Sequence, residues 1–223
     1  MWYSTTRLEQ KKQARHPLRG EGGKNIFDST GTKCAREPPH KSNMNLLSTT
    51  LASVLEVLRS QKMDHLMIGG HVVNHYGYGR STQDIDFMMV VTCPEKLVAA
   101  MKNAGFTSYS IEPLVLFFQK PTPSIRVDFL RVDPDTFAKL MHSAVSVKIF
   151  GCEVKIPSLP DLLAMKFFSY GQAPQRRIKD LQDIVGLSIE NNLDAETVLK
   201  PLALKFASED IYRQVFTMLP TQK

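Results

Sequence analysis

The stretch from Ile68 to Phe87 (Ile-Gly-Gly-His-Val-Val-Asn-His-Tyr-Gly-Tyr-Gly-Arg-Ser-Thr-Gln-Asp-Ile-Asp-Phe) constrains this chain more than any other part of it. Within it Asp84, Ile85, Asp86 and Phe87 alternate acidic with apolar. An extended strand turns successive side chains to opposite faces, so both carboxylates project together while Ile85 and Phe87 point into a core. Gly69 and Gly70 fall between a short apolar run, 65–68, and a helical stretch, 71–76. Glycines there let a ligand approach the backbone N–H groups that open the helix.

Two carboxylates so close repel each other, and burying them unpaired is costly. A divalent cation removes that cost, and Mg²⁺ suits one or two carboxylates completed by substrate phosphates and water. A third acid stands in Ile125-Arg-Val-Asp-Phe-Leu130, where Ile125, Val127 and Phe129 alternate with Arg126 and Asp128. Asp128 is therefore on the polar face of its strand. If that strand neighbours the Asp84 strand, three carboxylates converge as in a two-metal phosphoryl-transfer site; the bland alternative is a pair between Asp128 and Arg126 or Arg131.

The rest of the chain reads as an α+β protein. Leu47, Leu51, Val54, Leu55 and Leu58 recur at helical spacing. Strands are expected at 84–91, 114–119, 124–132, 145–150 and 153–156, with helices at 94–103 and 134–141. Pro121-Thr-Pro123 joins the second and third of these strands as a hairpin. After Pro160 the pattern is helical to the end, in about four segments. The chain thus divides into a basic leader at 1–43, an α/β lobe at 44–157 and a helical lobe at 158–223, with a cleft between the lobes.

Charge separates the leader from the remainder. The net charge of the 223 residues is +6, but nine Lys and Arg against four acids stand in 1–43, leaving nineteen against eighteen beyond. The leader has no hydrophobic periodicity and reads as disordered, or as lying before a natural start at Met44. A nucleic-acid-binding arm is the sharper alternative, but aromatic residues do not interleave with its charges. No apolar run approaches a membrane span or a signal segment. The three cysteines, Cys34, Cys93 and Cys152, are widely spaced and suit a cytoplasmic setting.

Taken together, the Gly-Gly turn, Arg80-x-Thr82-x-Asp84-Ile-Asp86 and the later Asp128 resemble the nucleotidyltransferase superfamily with the DNA polymerase beta-type fold. Within it the chain is similar to the AbiEii-like and MenT-like group, which includes toxins of toxin–antitoxin and phage-defence systems. The resemblance continues in Val154-Lys-Ile-Pro-Ser-Leu-Pro-Asp-Leu-Leu-Ala-Met-Lys166 and in Arg177-Ile-Lys-Asp-Leu-Gln-Asp183, and covers roughly 45–190. It implies a mixed-sheet catalytic lobe and a helical lobe, Mg²⁺ (a two-metal site) as cofactor and a nucleoside triphosphate, ATP among the choices, as donor. A nucleoside monophosphate would pass to an RNA end (a tRNA for instance), a protein or a small molecule, with diphosphate released. A cognate antitoxin is an implied partner. Asp84, Asp86 and Asp128 would be catalytic and metal-binding, with Gly69, Gly70, Arg80, Thr82 and Lys166 binding the nucleotide.

Several residues carry bland readings beside these. Arg80 and Thr82 either brace the loop or touch the nucleotide, and Lys166 is either a phosphate ligand or a helix-surface lysine. Asp180 and Asp183 share a helix face with Arg176 and Arg177 and read as salt-bridge partners. His71 and His75 lie four apart, but Val72 follows His71 where a zinc protease needs glutamate, so they read as two helix histidines, one near the phosphate. Met67, Met88 and Met89 read as core. A non-catalytic binding module on the same fold and a metal-dependent nuclease are the rival functions.

Overall fold

The computed structural model describes residues 41–121 and 125–220. The basic leader therefore lies outside the described residues up to Lys41, where the first helix begins, and so does the tip of the Pro121–Pro123 turn. Among the described residues, eight α-helices and seven strands follow in the order α1 (Lys41–Ser60), β1 (Leu66–Ile68), α2 (Gly70–His75), β2 (Ile85–Met89), α3 (Pro94–Asn103), β3 (Thr107–Ile111), β4 (Val115–Gln119), β5 (Arg126–Arg131), α4 (Pro134–His142), β6 (Val145–Ile149), β7 (Cys152–Ile156), α5 (Leu159–Gln172), α6 (Arg177–Glu190), α7 (Lys200–Phe206) and α8 (Glu209–Met218). Local chemistry sets several boundaries. Pro94 opens α3, Asp133 accepts from Thr136 N–H to cap α4, Ser158 caps α5, and Ser208 caps α8. Sequence periodicity missed β3, whose five residues alternate weakly and which forms by pairing with β4 across a register shift at Ser108 and Ser110.

The fold is α+β, built on a five-stranded mixed sheet in the order β1-β2-β5-β4-β3. β2 and β5 run parallel and the other neighbours antiparallel. A parallel pair needs a crossover, and α3 with the β3–β4 hairpin supplies it. The other two strands, β6 and β7, form a separate antiparallel hairpin.

One sheet face carries Ile85, Phe87, Met89, Leu116, Phe118, Val127 and Phe129, all buried. They join α1, α3 and the C-terminal helices in one apolar cluster that reaches Leu162, Ile184, Leu199 and Val215. The opposite face is apolar at one end, where Leu66, Ile68 and Met88 pack under Phe137 and Leu140 of α4. Two residues earlier along β2 and β5, the same face holds Asp86 and Asp128 instead. Met67, Met88 and Met89 are buried in the core, as expected.

Candidate active site

Gly69 ends β1 with φ 77°, a conformation that L side chains rarely adopt. The close approach demands glycine as well, because a Cβ at Gly69 would overlap the Asp86 carboxylate. A Cβ at Gly70 would lie 2.5 Å from Thr82 Oγ1 and 2.9 Å from Arg80 Nη1. The two glycines thus form a cradle whose walls are the sequence-expected residues Asp86, Thr82 and Arg80.

The parallel register of β2 and β5 sets Asp86 opposite Asp128, bringing the third carboxylate to the neighbouring strand. Asp84 stands exposed just before β2. Burial against the glycine backbone, with Asp128 and Asp84 nearby, pushes Asp86 up to about 6. Burial raises Asp128 too, although the Arg126 guanidinium pulls the other way. Arg126 grips Asp128 with both prongs: Nε donates to Oδ1 at 2.6 Å and Nη2 to Oδ2 at 2.6 Å. The guanidinium also lies 4.2 Å from the centre of the Phe117 ring, on the residue opposite Asp128 in β4.

Among the described residues, no three His, Cys, Asp or Glu side chains are gathered as a ready metal cage. The donor set nonetheless suits a hard divalent cation. Its oxygens come from adjacent strands, and Asp86 is charged only against the repulsion of two neighbouring acids.

A second set of charges is fully paired. Arg80 Nε donates to Asp183 Oδ1 at 2.6 Å and Nη2 to Oδ2 at 3.2 Å, across 103 residues of sequence. Lys166 Nζ lies 2.6 Å from Asp183 Oδ2 and 3.0 Å from Asp180 Oδ1, while Ser169 Oγ donates to Asp180 Oδ2. Asp180 and Asp183 are wholly inaccessible and Lys166 is only 5% exposed. The loop carrying Arg80 is held elsewhere too, by reciprocal bonds between Asn74 and the Arg80 backbone and by the Tyr78 ring lying on Gly186. The expected salt bridging of Asp180 and Asp183 is present, but its main partners are Arg80 and Lys166. Arg176 adds only a 3.5 Å contact to Asp180, and Arg177 donates instead to the Tyr170 carbonyl.

Sequence reading did not flag Lys179 or Arg176 for the site. Lys179 is exposed on α6, where partial desolvation and the charges of Arg80, Arg176 and Lys166 lower its pKa while Asp86 raises it. The available signal was helical spacing: 176, 179, 180 and 183 fall on one face. Of the two helix histidines, His75 is exposed and His71 is buried with its ring edge-on to Phe150. Burial and Arg80 hold His71 down at about 4, and its Nε2 has no hydrogen-bond partner among the described residues.

No protein-family model matches the chain, and no curated protein matches it. Solved structures do. The chain aligns with ANT(2'')-Ia in complex with adenylyl-2''-tobramycin over 74% of its own length and 99% of that protein's, at 15% identity and a TM-score of 0.55. The solution structure of the antibiotic-resistance factor ANT(2'')-Ia gives 14% identity, 78% and 97% coverage and a TM-score of 0.54. An antigenic nucleotidyltransferase-like protein from Paracoccidioides brasiliensis is a weaker likeness, at 17% identity, 77% and 93% coverage and a TM-score of 0.48. The chain has the nucleotidyltransferase fold.

Proposed function

We propose that this protein is a Mg²⁺-dependent nucleotidyltransferase that moves a nucleoside monophosphate from a nucleoside triphosphate to an RNA, protein or small-molecule acceptor. The observation that carries the proposal is the parallel register that sets Asp128 beside Asp86, directly against the Gly69–Gly70 turn. The complex of ANT(2'')-Ia with adenylyl-2''-tobramycin, a structure of the same fold, supports nucleoside monophosphate transfer as the reading for this chain. The toxin setting and a cognate antitoxin rest on the sequence resemblance to the AbiEii-like and MenT-like group.

Asp84 and Asp86 would hold Mg²⁺, with Asp128 as a further ligand once Arg126 releases it. Bound there, the metal would neutralise charge that builds on the phosphates and the leaving diphosphate. The chain's own part is distinct. Gly69 and Gly70 leave room for phosphate oxygens at the backbone, and Thr82 and Arg80 line that space. Asp128, on the strand beyond Asp86, would take the proton of the acceptor hydroxyl.

The test supplies the full chain with Mg²⁺, each α-³²P-labelled nucleoside triphosphate in turn, and cellular RNA or protein as acceptor. Label should move to one acceptor pool, and Asp86→Asn should lower transfer at least about 10³-fold while the fold persists. Equal transfer by the variant would overturn the mechanism.

One observation favours a second reading, a non-catalytic nucleotide-binding module. Both Asp128 oxygens are held by Arg126. That reading predicts nucleotide binding without diphosphate release under any acceptor.

A further inference from the structure

We infer that Arg126 and Phe117 form the acceptor side of the site, and that the acceptor is the ribose-hydroxyl end of an RNA strand rather than a protein or a cationic small molecule. The inference rests on the nucleotidyltransferase reading and names the acceptor class which that reading leaves open.

The sheet order fixes the side from which an acceptor arrives. Across the polar face the sequence of positions is the Gly69–Gly70 turn after β1, Asp86 on β2, Asp128 on β5 and Phe117 on β4. The glycine cradle lies at the β1 side of Asp86. Attacking and leaving oxygens stand roughly in line in phosphoryl transfer. With the leaving diphosphate at the cradle, the acceptor hydroxyl comes over Asp128 from the β4 side.

That side carries an aromatic ring and a cation. Phe117 is half-buried directly opposite Asp128, while its neighbours Leu116 and Phe118 turn into the core on the other face. The Arg126 guanidinium lies 4.2 Å from the centre of the Phe117 ring and grips both Asp128 oxygens at 2.6 Å. Its side chain is 40% exposed, so incoming groups can reach it. Once Asp128 serves the acceptor, Arg126 stands beside the reacting hydroxyl without its acid. A cationic acceptor would meet a like charge there, and an uncharged one would leave the guanidinium unmatched. An RNA end matches both groups. Its last base can continue the Arg126–Phe117 stack, because bases stack on aromatic rings and on guanidinium planes alike. Its last phosphate, one ribose from the hydroxyl, can take the arginine prongs that Asp128 gives up. Arg126 and Asp128 are two residues apart on β5, roughly 7 Å, which is the scale of a single nucleotide.

In the reaction the terminal ribose oxygen bonds to the α-phosphorus of the nucleoside triphosphate. The bond from that phosphorus to the diphosphate oxygen breaks, the hydroxyl proton passes to Asp128, and diphosphate leaves.

The first measurement is fluorescence anisotropy of a short single-stranded RNA on the full chain in Mg²⁺, without nucleoside triphosphate so that nothing is transferred. The same strand lacking its terminal base should bind about tenfold more weakly. Phe117→Leu should erase that difference and Phe117→Tyr should keep it. Arg126→Gln should weaken the intact strand about tenfold or more, and Arg126→Lys should recover part of the loss. Mn²⁺ affinity should not fall in Arg126→Gln, whereas a merely structural role would weaken metal and RNA together. Lys148→Gln, exposed on β6, should change nothing, and melting temperatures check that each variant folds. The second measurement follows ³²P from labelled nucleoside triphosphate into this RNA, cellular protein or a cationic amino-sugar. Wild-type RNA affinity in Arg126→Gln and Phe117→Leu, or label passing to protein or amino-sugar instead of RNA, would overturn the acceptor assignment and leave the nucleotidyltransferase reading standing. No nucleoside triphosphate binding and no diphosphate release with any acceptor would overturn both.

Discussion

The molecule holds two clusters of carboxylates a short distance apart, and they are compensated in opposite ways. Asp180 and Asp183 are wholly inaccessible, yet each meets cations at 3.5 Å or less, from Arg80, Lys166 and Arg176. Asp84, just before β2, and Asp86, at its start, meet no cation at such range among the described residues, and burial with acidic neighbours pushes Asp86 up to about 6. The folded chain thus spends its buried cations on the helical side and leaves the strand side short of positive charge. A paired buried cluster holds a structure together, whereas a buried acid with a raised pKa and no cation beside it marks a candidate functional site. Asp128 stands between these cases, because its partner Arg126 is a neighbour on its own strand with a 40% exposed side chain that can swing away.

Substitution of one residue in each cluster separates the two roles. The largest effect is expected from Asp183→Ala, which strands Arg80 and Lys166 without their shared acid. It should cost about 3–5 kcal/mol of stability in urea unfolding and lower the melting temperature by roughly 10 °C or more. A loss below about 1 kcal/mol would mean that solvent reaches the network and screens its charges.

On the strand side the sign reverses. Folded Asp86 holds its proton more tightly than the unfolded chain does. That stabilisation is complete below about pH 4 and is lost as the pH rises through about 6. In the metal-free protein Asp86→Asn should therefore be more stable than wild type at pH 8 by on the order of 2 kcal/mol. The gain should fade by pH 4, and thermal melts across pH 4–8 read it directly. Equal melting curves at pH 8 would show that Asp86 is compensated after all.

The smallest change in stability is expected at the intermediate pair. Arg126→Ala should alter stability by less than about 1 kcal/mol, because the ion pair is partly solvated. It should also tighten Mn²⁺ binding, measured by electron paramagnetic resonance, by freeing both Asp128 oxygens. Unchanged Mn²⁺ affinity would show that Arg126 and a cation do not compete.

Much of the strand side was legible before any tertiary structure. Alternation alone places Asp84 with Asp86 and puts Asp128 on a polar face, since the period of a strand is a local property. The Gly-Gly turn, Pro94 at the start of α3 and the short apolar runs were equally local, and those elements form where expected. β3 was not legible, because Thr107–Ile111 carries little pattern of its own and owes its strand to the β4 edge. Nor was the true company of Lys166, Arg80 and Asp183, for helix spacing shows which residues share a face but not what that face meets.

By itself, then, the sequence determined which side chains could act together within one strand, turn or helix, through periods of two and of 3.6 residues. Only the tertiary structure decided which of those elements touch. It set β5 parallel to β2, with the β3–β4 hairpin in the crossover, so that Asp128 stands beside Asp86. It also brought Arg80 to Asp183 over 103 residues, closing the buried network around Lys166. The physical reason is that such contacts bring distant segments together at a cost in chain entropy, and the shared apolar core beneath them offsets it.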